Sequence, residues 1–201
     1  MFRVILTGGI ASGKTEATNY LKDFGVEIID ADEIGKKLVA AGQPAFLKIC
    51  SIFGENIVMK NGELDRKAIR KKVFFNTEYR EKLQDILHPI IHQEIIKISK
   101  ESTSDYIIIV LPLFIESKEV YDYEKVLLIE AAEDIRKSRL KKRENISSKE
   151  INQILKIQAS DLHRKIVADD ILLNNSSLND LKKGLNSLHK KYLDLAKKNV
   201  D

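Results

Sequence analysis

Residues Gly8-Gly9-Ile10-Ala11-Ser12-Gly13-Lys14-Thr15 set two glycines with four residues between them and follow the second with Lys and Thr, the spacing of a phosphate-binding P-loop. The pattern constrains the fold because it requires a strand before it and a helix after it. Phe2-Arg3-Val4-Ile5-Leu6 reads as a buried strand, and residues 15–24 read as a helix closed by Gly25. In that setting the glycines let successive N–H groups curl around one anion, while the helix N-terminus adds partial positive charge. Lys14 is then expected to reach the β- and γ-phosphates of a nucleotide triphosphate, with the Thr15 hydroxyl on the Mg²⁺ that neutralises them. The competing reading is a glycine turn that only joins strand to helix.

Further strand candidates at residues 26–29, 106–111, 125–129 and 171–173 alternate with helical stretches. They predict an α/β fold, a five-stranded parallel sheet flanked by helices. Residues 107–111 and 126–129 are apolar without alternation, as strands covered on both faces should be. A chain of 201 residues, 43% hydrophobic and 32% charged, suits one domain over 1–201 with insertions. No apolar run is of membrane-spanning length and the first strand begins at once, so a cytoplasmic protein with no membrane partner is expected. Cys50 is the only cysteine, which excludes an intrachain disulfide or a cysteine-rich zinc site. The net charge of +4 arises from 34 basic against 30 acidic residues, a near balance that suits small anions at least as well as nucleic acid.

Residues 32–104 turn helical and read as an insertion. Asn61-Gly62 marks a tight turn, and Asp65 a helix N-cap. Pro89 is expected in the first turn of a new helix, which would put His88 at a helix start. From Leu178, the spacing of Leu181, Leu185, Leu188, Tyr192 and Leu195 predicts an amphipathic helix laid on the sheet; a short coiled coil would use the same stripe.

Two segments could carry chemistry beside the loop. Asp30-Ala31-Asp32-Glu33 follows the second strand, and ligands of open α/β sheets gather beyond strand C-termini. Asp32 is the candidate to orient an acceptor hydroxyl and take its proton; a helix cap at Asp30 or Asp32 is the competing reading. The basic run Arg136-Lys137-Ser138-Arg139-Leu140-Lys141-Lys142-Arg143 could be a solvated helix face. Arg139 and Arg143, four apart, could instead both reach a triphosphate. Ser147 to Glu150 reads as a capping box that restarts the helix, which suits a hinged lid over 134–166.

Taken together, Thr7 to Lys14, Ile29-Asp30-Ala31-Asp32, Leu87-His88-Pro89, Val110-Leu111-Pro112-Leu113-Phe114-Ile115-Glu116, Gln158-Ala159 and Ala168-Asp169-Asp170 with Asn174 resemble the dephospho-CoA kinase family. The motifs run in family order over nearly the whole chain. The resemblance implies a nucleoside-monophosphate-kinase-like core with a helical acceptor-binding region at 32–104 and a lid. It implies transfer of the ATP γ-phosphate to the ribose 3′-hydroxyl of dephospho-CoA, the last step of coenzyme A synthesis. On this reading Lys14, Asp32 and Arg139 are catalytic. ATP is held by Gly9, Ala11, Ser12, Gly13, Lys14, Thr15 and Glu16, together with Arg143 and with Asn174 near the adenine. Mg²⁺ sits at Thr15, and the acceptor is lined by Asp32, Arg66, His88 and Leu113. For His88 a purely capping role before Pro89 stays open, as does a structural role for Leu113.

Ala11 replaces a glycine common at that loop position, and is expected to be harmless if it keeps negative φ; Glu16 brings negative charge near the phosphates. Another small-molecule kinase or a nucleoside monophosphate kinase shares the P-loop and basic lid. Asp32-Glu33-Ile34-Gly35 also fits an Asp-x-x-Gly pattern of GTP-binding switches, but no Asn-Lys-x-Asp or Thr-Lys-x-Asp element follows to read guanine. An RNA-binding use of residues 136–143 lacks a recognisable module. A monomer, or at most a weak oligomer, is expected.

Overall fold

The uninterrupted apolar runs become inner strands. In the computed structural model, which describes residues 1–117, 119–144 and 147–198, Tyr106–Val110 (β3) and Lys125–Glu130 (β4) flank Phe2–Thr7 (β1). Glu27–Asp30 (β2) and Asp170–Leu173 (β5) are the edges of the five-stranded parallel sheet, ordered β2-β3-β1-β4-β5. Register is set by pairs such as Val4 with Ile108 and Leu6 with Leu127, which stack buried side chains across the sheet. All five strands lie within a few residues of the sequence expectation.

The chain divides into two bodies, Met1–Ile29 with Ser99–Asp201, and Asp30–Ile98. In the first, the sheet carries Lys14–Lys22 (α1) and Leu178–Lys198 (α9), and after β4 come Glu133–Glu144 (α6), Ser148–Ile157 (α7) and Asp161–Val167 (α8). The α9 stripe is buried at Leu181, Leu185 and Tyr192 against β1 and β3 residues, so the helix covers the sheet as expected. Ala168-Asp169-Asp170 fastens the start of β5. Asp169 accepts from Lys125 Nζ (2.9 Å) and Val126 N (2.8 Å), and Asp170 from the Tyr192 hydroxyl (3.0 Å). Burial pulls the Asp169 carboxyl upward, but those two donors outweigh it and hold it below the usual range.

The second body is helical: Ala31–Leu38 (α2), Pro44–Phe53 (α3), Arg66–Phe75 (α4) and the first 22 residues of Thr77–Glu101 (α5). Ile49, Phe53, Ile57, Leu64 and Ile69 form its core. Gly62 takes the positive φ of the Asn61-Gly62 turn, and Asp65 caps α4 by accepting from Lys67 N and Ala68 N at 3.0 Å. Half-buried Cys50 packs on this core.

One helix boundary differs from expectation. Pro89 lies inside α5, so His88 is in mid-helix and does not open one. Proline there removes the N–H that would bond Asp85 and costs about 3 kcal/mol. The apolar stripe nevertheless continues across it. Tyr79, Leu83, Ile86 and Leu87 pack on the second core, Ile91 touches Gly35, and Ile95 is buried. Continuous burial of that face outweighs one broken backbone bond.

Candidate active site

The strand–loop–helix unit at the N-terminus builds the first part of the site. β1 ends at Thr7, and Gly13 caps α1 in the left-handed region at φ 106. A Cβ on Gly13 would also overlap the Asn174 carboxamide, so glycine is required there both by conformation and by space. The Lys14 ammonium lies back across the loop, donating to the carbonyls of Gly8 (2.7 Å) and Gly9 (3.1 Å). Ser12 is fully buried; its Oγ has no partner among the described residues, and its backbone N–H donates to Gly9 O at 3.1 Å. Thr15 and Glu16 are exposed in the first turn of α1.

Ala11 does not keep negative φ. It has φ 59, alone among the described non-glycine residues in being positive, because the loop must reverse here to aim its N–H groups inward. The left-handed conformation costs an L-residue about 1–2 kcal/mol, partly offset by the smaller unfolded-state entropy of alanine. Ala11→Gly is therefore expected to stabilise the protein by about 0.5–1 kcal/mol, read as a higher Tm. A lower Tm would show that the strain is relieved elsewhere.

A polar buttress stands against the second half of the loop. Asn174 is buried at the end of β5, and its Nδ2 donates to Ser12 O at 2.8 Å. Arg139, from α6, donates Nη1 to the carbonyls of Ala11 and Ser12 (both 3.3 Å) and Nη2 to Asn174 O (3.0 Å). Arg143, one turn on, is exposed. The planar fork of Arg139 reaches three carbonyls from two separated nitrogens, a spread that the point charge of an ammonium does not reproduce. Arg139→Lys is expected to lose about 1.5–3 kcal/mol of that support and to raise the KM for nucleotide. Unchanged Tm and KM would reduce the fork to surface decoration.

A third group received no individual site role from the sequence. The Gln158 side chain accepts from Ile10 N (2.9 Å), and Glu116 accepts from Ala159 N (2.6 Å), tying the segment after α7 to the loop and to the turn after β3. Arg136 and Arg164 are both buried and both bind Asp161. The available sign for Arg136 was its place four residues before Leu140, a fully buried residue of α6. Leu113 is half-exposed in the turn after β3.

Asp32, Arg66 and His88 belong to the second body. Asp30 is the N-cap of α2, accepting from Asp32 N (2.9 Å) and Glu33 N (3.2 Å), and Asp32 is exposed in the first turn. Arg66 is exposed at the first position of α4, and His88 is half-buried in α5. Among the described residues no group of three or more His, Cys, Asp or Glu could hold a metal ion. No helix there is long and apolar enough to cross a membrane.

The chain is similar in sequence and fold to known proteins. A family model described as dephospho-CoA kinase matches residues 2–180. The dephospho-CoA kinase of Colwellia psychrerythraea is 41% identical over 193 residues, covering 96% of each chain. Among solved structures, the dephospho-CoA kinase from Campylobacter jejuni matches with a TM-score of 0.69 at 26% identity, covering 98% of both chains. TT1252 from Thermus thermophilus shares the fold, with a TM-score of 0.82 at 23% identity over 94% of this chain and 97% of that one.

Proposed function

Because the chain belongs to the dephospho-CoA kinase family, we infer that its P-loop and the residues around it transfer the γ-phosphate of ATP to the 3′-hydroxyl of dephospho-CoA, giving CoA and ADP. The family match over residues 2–180 carries this reading. The loop geometry supplies the chemistry. Backbone N–H groups of Ala11 and of residues 13–15 at the start of α1 cradle the phosphates, while those of Ile10 and Ser12 are paired to Gln158 and Gly9; Lys14 neutralises the charge that spreads over the terminal oxygens during transfer.

Phosphoryl transfer passes through a loose transition state, so positioning and charge matter more than covalent help from the protein. Arg139 and Asn174 hold the loop carbonyls and thereby fix the direction of its N–H groups. Asn174 and Arg143 are read as further contacts to ATP, the first near adenine. The donor set at Thr15 fits a hard cation that arrives with the nucleotide: one exposed hydroxyl at the helix start and no carboxylate cage among the described residues. The Thr15 hydroxyl would hold Mg²⁺, which would supply neutralisation of the phosphate charge. Glu16 in the same turn opposes that anion while favouring the helix dipole.

Asp32 is assigned the acceptor hydroxyl. It stands two residues past β2, and the capping duty that competes for it falls to Asp30. Arg66, His88 and Leu113 are assigned to the acceptor, residues 32–104 to acceptor binding, and 134–166 to the lid.

The test is ADP formation by the purified protein with ATP and Mg²⁺, comparing dephospho-CoA with AMP, CMP, shikimate and no acceptor. Turnover only with dephospho-CoA, with CoA identified by mass, is expected. Turnover with another acceptor would keep the kinase fold and overturn the substrate.

A further inference from the structure

Two arginines meet at Gly9. Arg136, 4% exposed, is anchored on two edges: Nε donates to Ala131 O (3.0 Å), and Nη2 to both oxygens of Asp161 (2.9 and 3.0 Å). Arg164, 6% exposed, donates Nη1 to Ala159 O (2.5 Å) and Nη2 to the same Asp161. The third edge of Arg136, Nη1, has no hydrogen-bond partner among the described residues and abuts Gly9 so closely that any Cβ there would overlap it. Arg164 Nη2 would lie 3.3 Å from that same Cβ. Gly9 is thus a glycine because a guanidinium occupies the place of its side chain.

The charges do not balance. Two buried guanidiniums share one carboxylate, and Asp161 is itself 39% exposed. Half-exposed Lys165 pairs with Oε1 of Glu130 at 3.0 Å, and the buried Oε2 of Glu130 has no hydrogen-bond partner among the described residues, so it bonds neither arginine. A buried charge without a counter-charge is costly, and burial with a net positive excess is the signature of a site completed by an anion. Lys14 approaches the same residue, its ammonium 3.1 Å from Gly9 O. In a P-loop that lysine serves the β- and γ-phosphates, so Gly9 marks the terminal end of the triphosphate.

We propose that Arg136, held by Asp161 and Arg164, is a binding residue for the terminal phosphoryl group of the nucleotide, its Nη1 edge extending the P-loop anion site past Gly9. This rests on the reading of the chain as an ATP-dependent kinase. Asp161 and Arg164 are positioning residues: they fix the guanidinium plane so that no reorganisation is needed when charge builds on the transferring group.

The decisive comparison breaks one ion pair from its two sides. Arg136→Gln and Asp161→Asn both remove the Arg136–Asp161 bridge, but the first lowers the local positive charge and the second raises it. Binding of ATP, ADP and inorganic tripolyphosphate to the full chain is measured by calorimetry. Arg136→Gln is expected to weaken ATP and tripolyphosphate roughly 10- to 100-fold, the loss of one charge-assisted bond, and ADP much less. Asp161→Asn is expected to weaken ATP clearly less than Arg136→Gln does, because it loosens the guanidinium plane but keeps the positive charge. Equal loss in both variants would make the bridge a purely structural latch and overturn the proposal, as would no loss in Arg136→Gln. If Asp161→Asn does not fold, the ATP-over-ADP preference of Arg136→Lys decides: partial recovery relative to Arg136→Gln supports the charge role, and a preference equal to that of Arg136→Gln refutes it. Wild-type turnover of dephospho-CoA is run alongside. Its failure would remove the kinase reading, whereas intact wild-type turnover with unaltered Arg136→Gln removes only this assignment.

Discussion

Turnover of dephospho-CoA is expected to fall about 10²–10⁴-fold when Asp32 is replaced by asparagine, while ATP binding stays nearly intact. The amide keeps the size and hydrogen-bonding reach of the carboxylate but cannot accept the proton of the 3′-hydroxyl. An aspartate is a weak base for an alcohol. In a loose transition state the proton leaves late, so the loss reflects orientation as much as basicity. Asp30 supplies the control. It accepts the N–H groups of Asp32 and Glu33, a duty asparagine performs about as well, so Asp30→Asn should keep both rate and Tm near wild type. Asp30→Ala should lose about 0.5–2 kcal/mol of stability through the lost cap. Steady-state kinetics with calorimetric ATP affinity separates the cases. Full turnover in Asp32→Asn would remove the base, and a parallel fall in ATP affinity would turn the effect into a structural one.

That division between Asp30 and Asp32 marks where sequence reasoning stops. Period and composition locate strands and helices because burial on two faces demands apolar runs, and β3 obeys that demand at every residue and β4 at its four inner ones. The P-loop is legible because its glycines answer a local steric requirement. The identity of a cap is less so: both aspartates suit it, and only the backbone direction at the end of β2 decides. Pro89 shows a local rule overridden by tertiary burial, since the apolar face of α5 continues through it. Ala11 shows the opposite, a residue accepting the conformation its loop imposes. Arg136 was hidden for another reason. A basic run looks solvated in sequence, and nothing in it says which guanidiniums turn inward until Leu140 fixes the buried side of α6.

Lys14→Ala should lower kcat/KM by about 10²–10³. The stability of the fold should barely change. The ammonium donates to the Gly8 and Gly9 carbonyls, and its removal thins a region where Arg136, Arg139 and Arg164 already crowd. Loss of two hydrogen bonds and relief of like-charge repulsion oppose each other, so thermal unfolding stays close to wild type while catalysis collapses. A large Tm drop with proportionate loss of activity would recast Lys14 as a loop brace. The double variant Lys14→Ala/Arg136→Gln carries the argument one step further. If both cations address the same terminal phosphoryl group, their effects on kcat/KM will be markedly non-additive, because each single loss already disrupts the charge field that the other completes. If instead the two effects simply add, the cations act on separate groups. Lys14 would then serve the transferring phosphate alone.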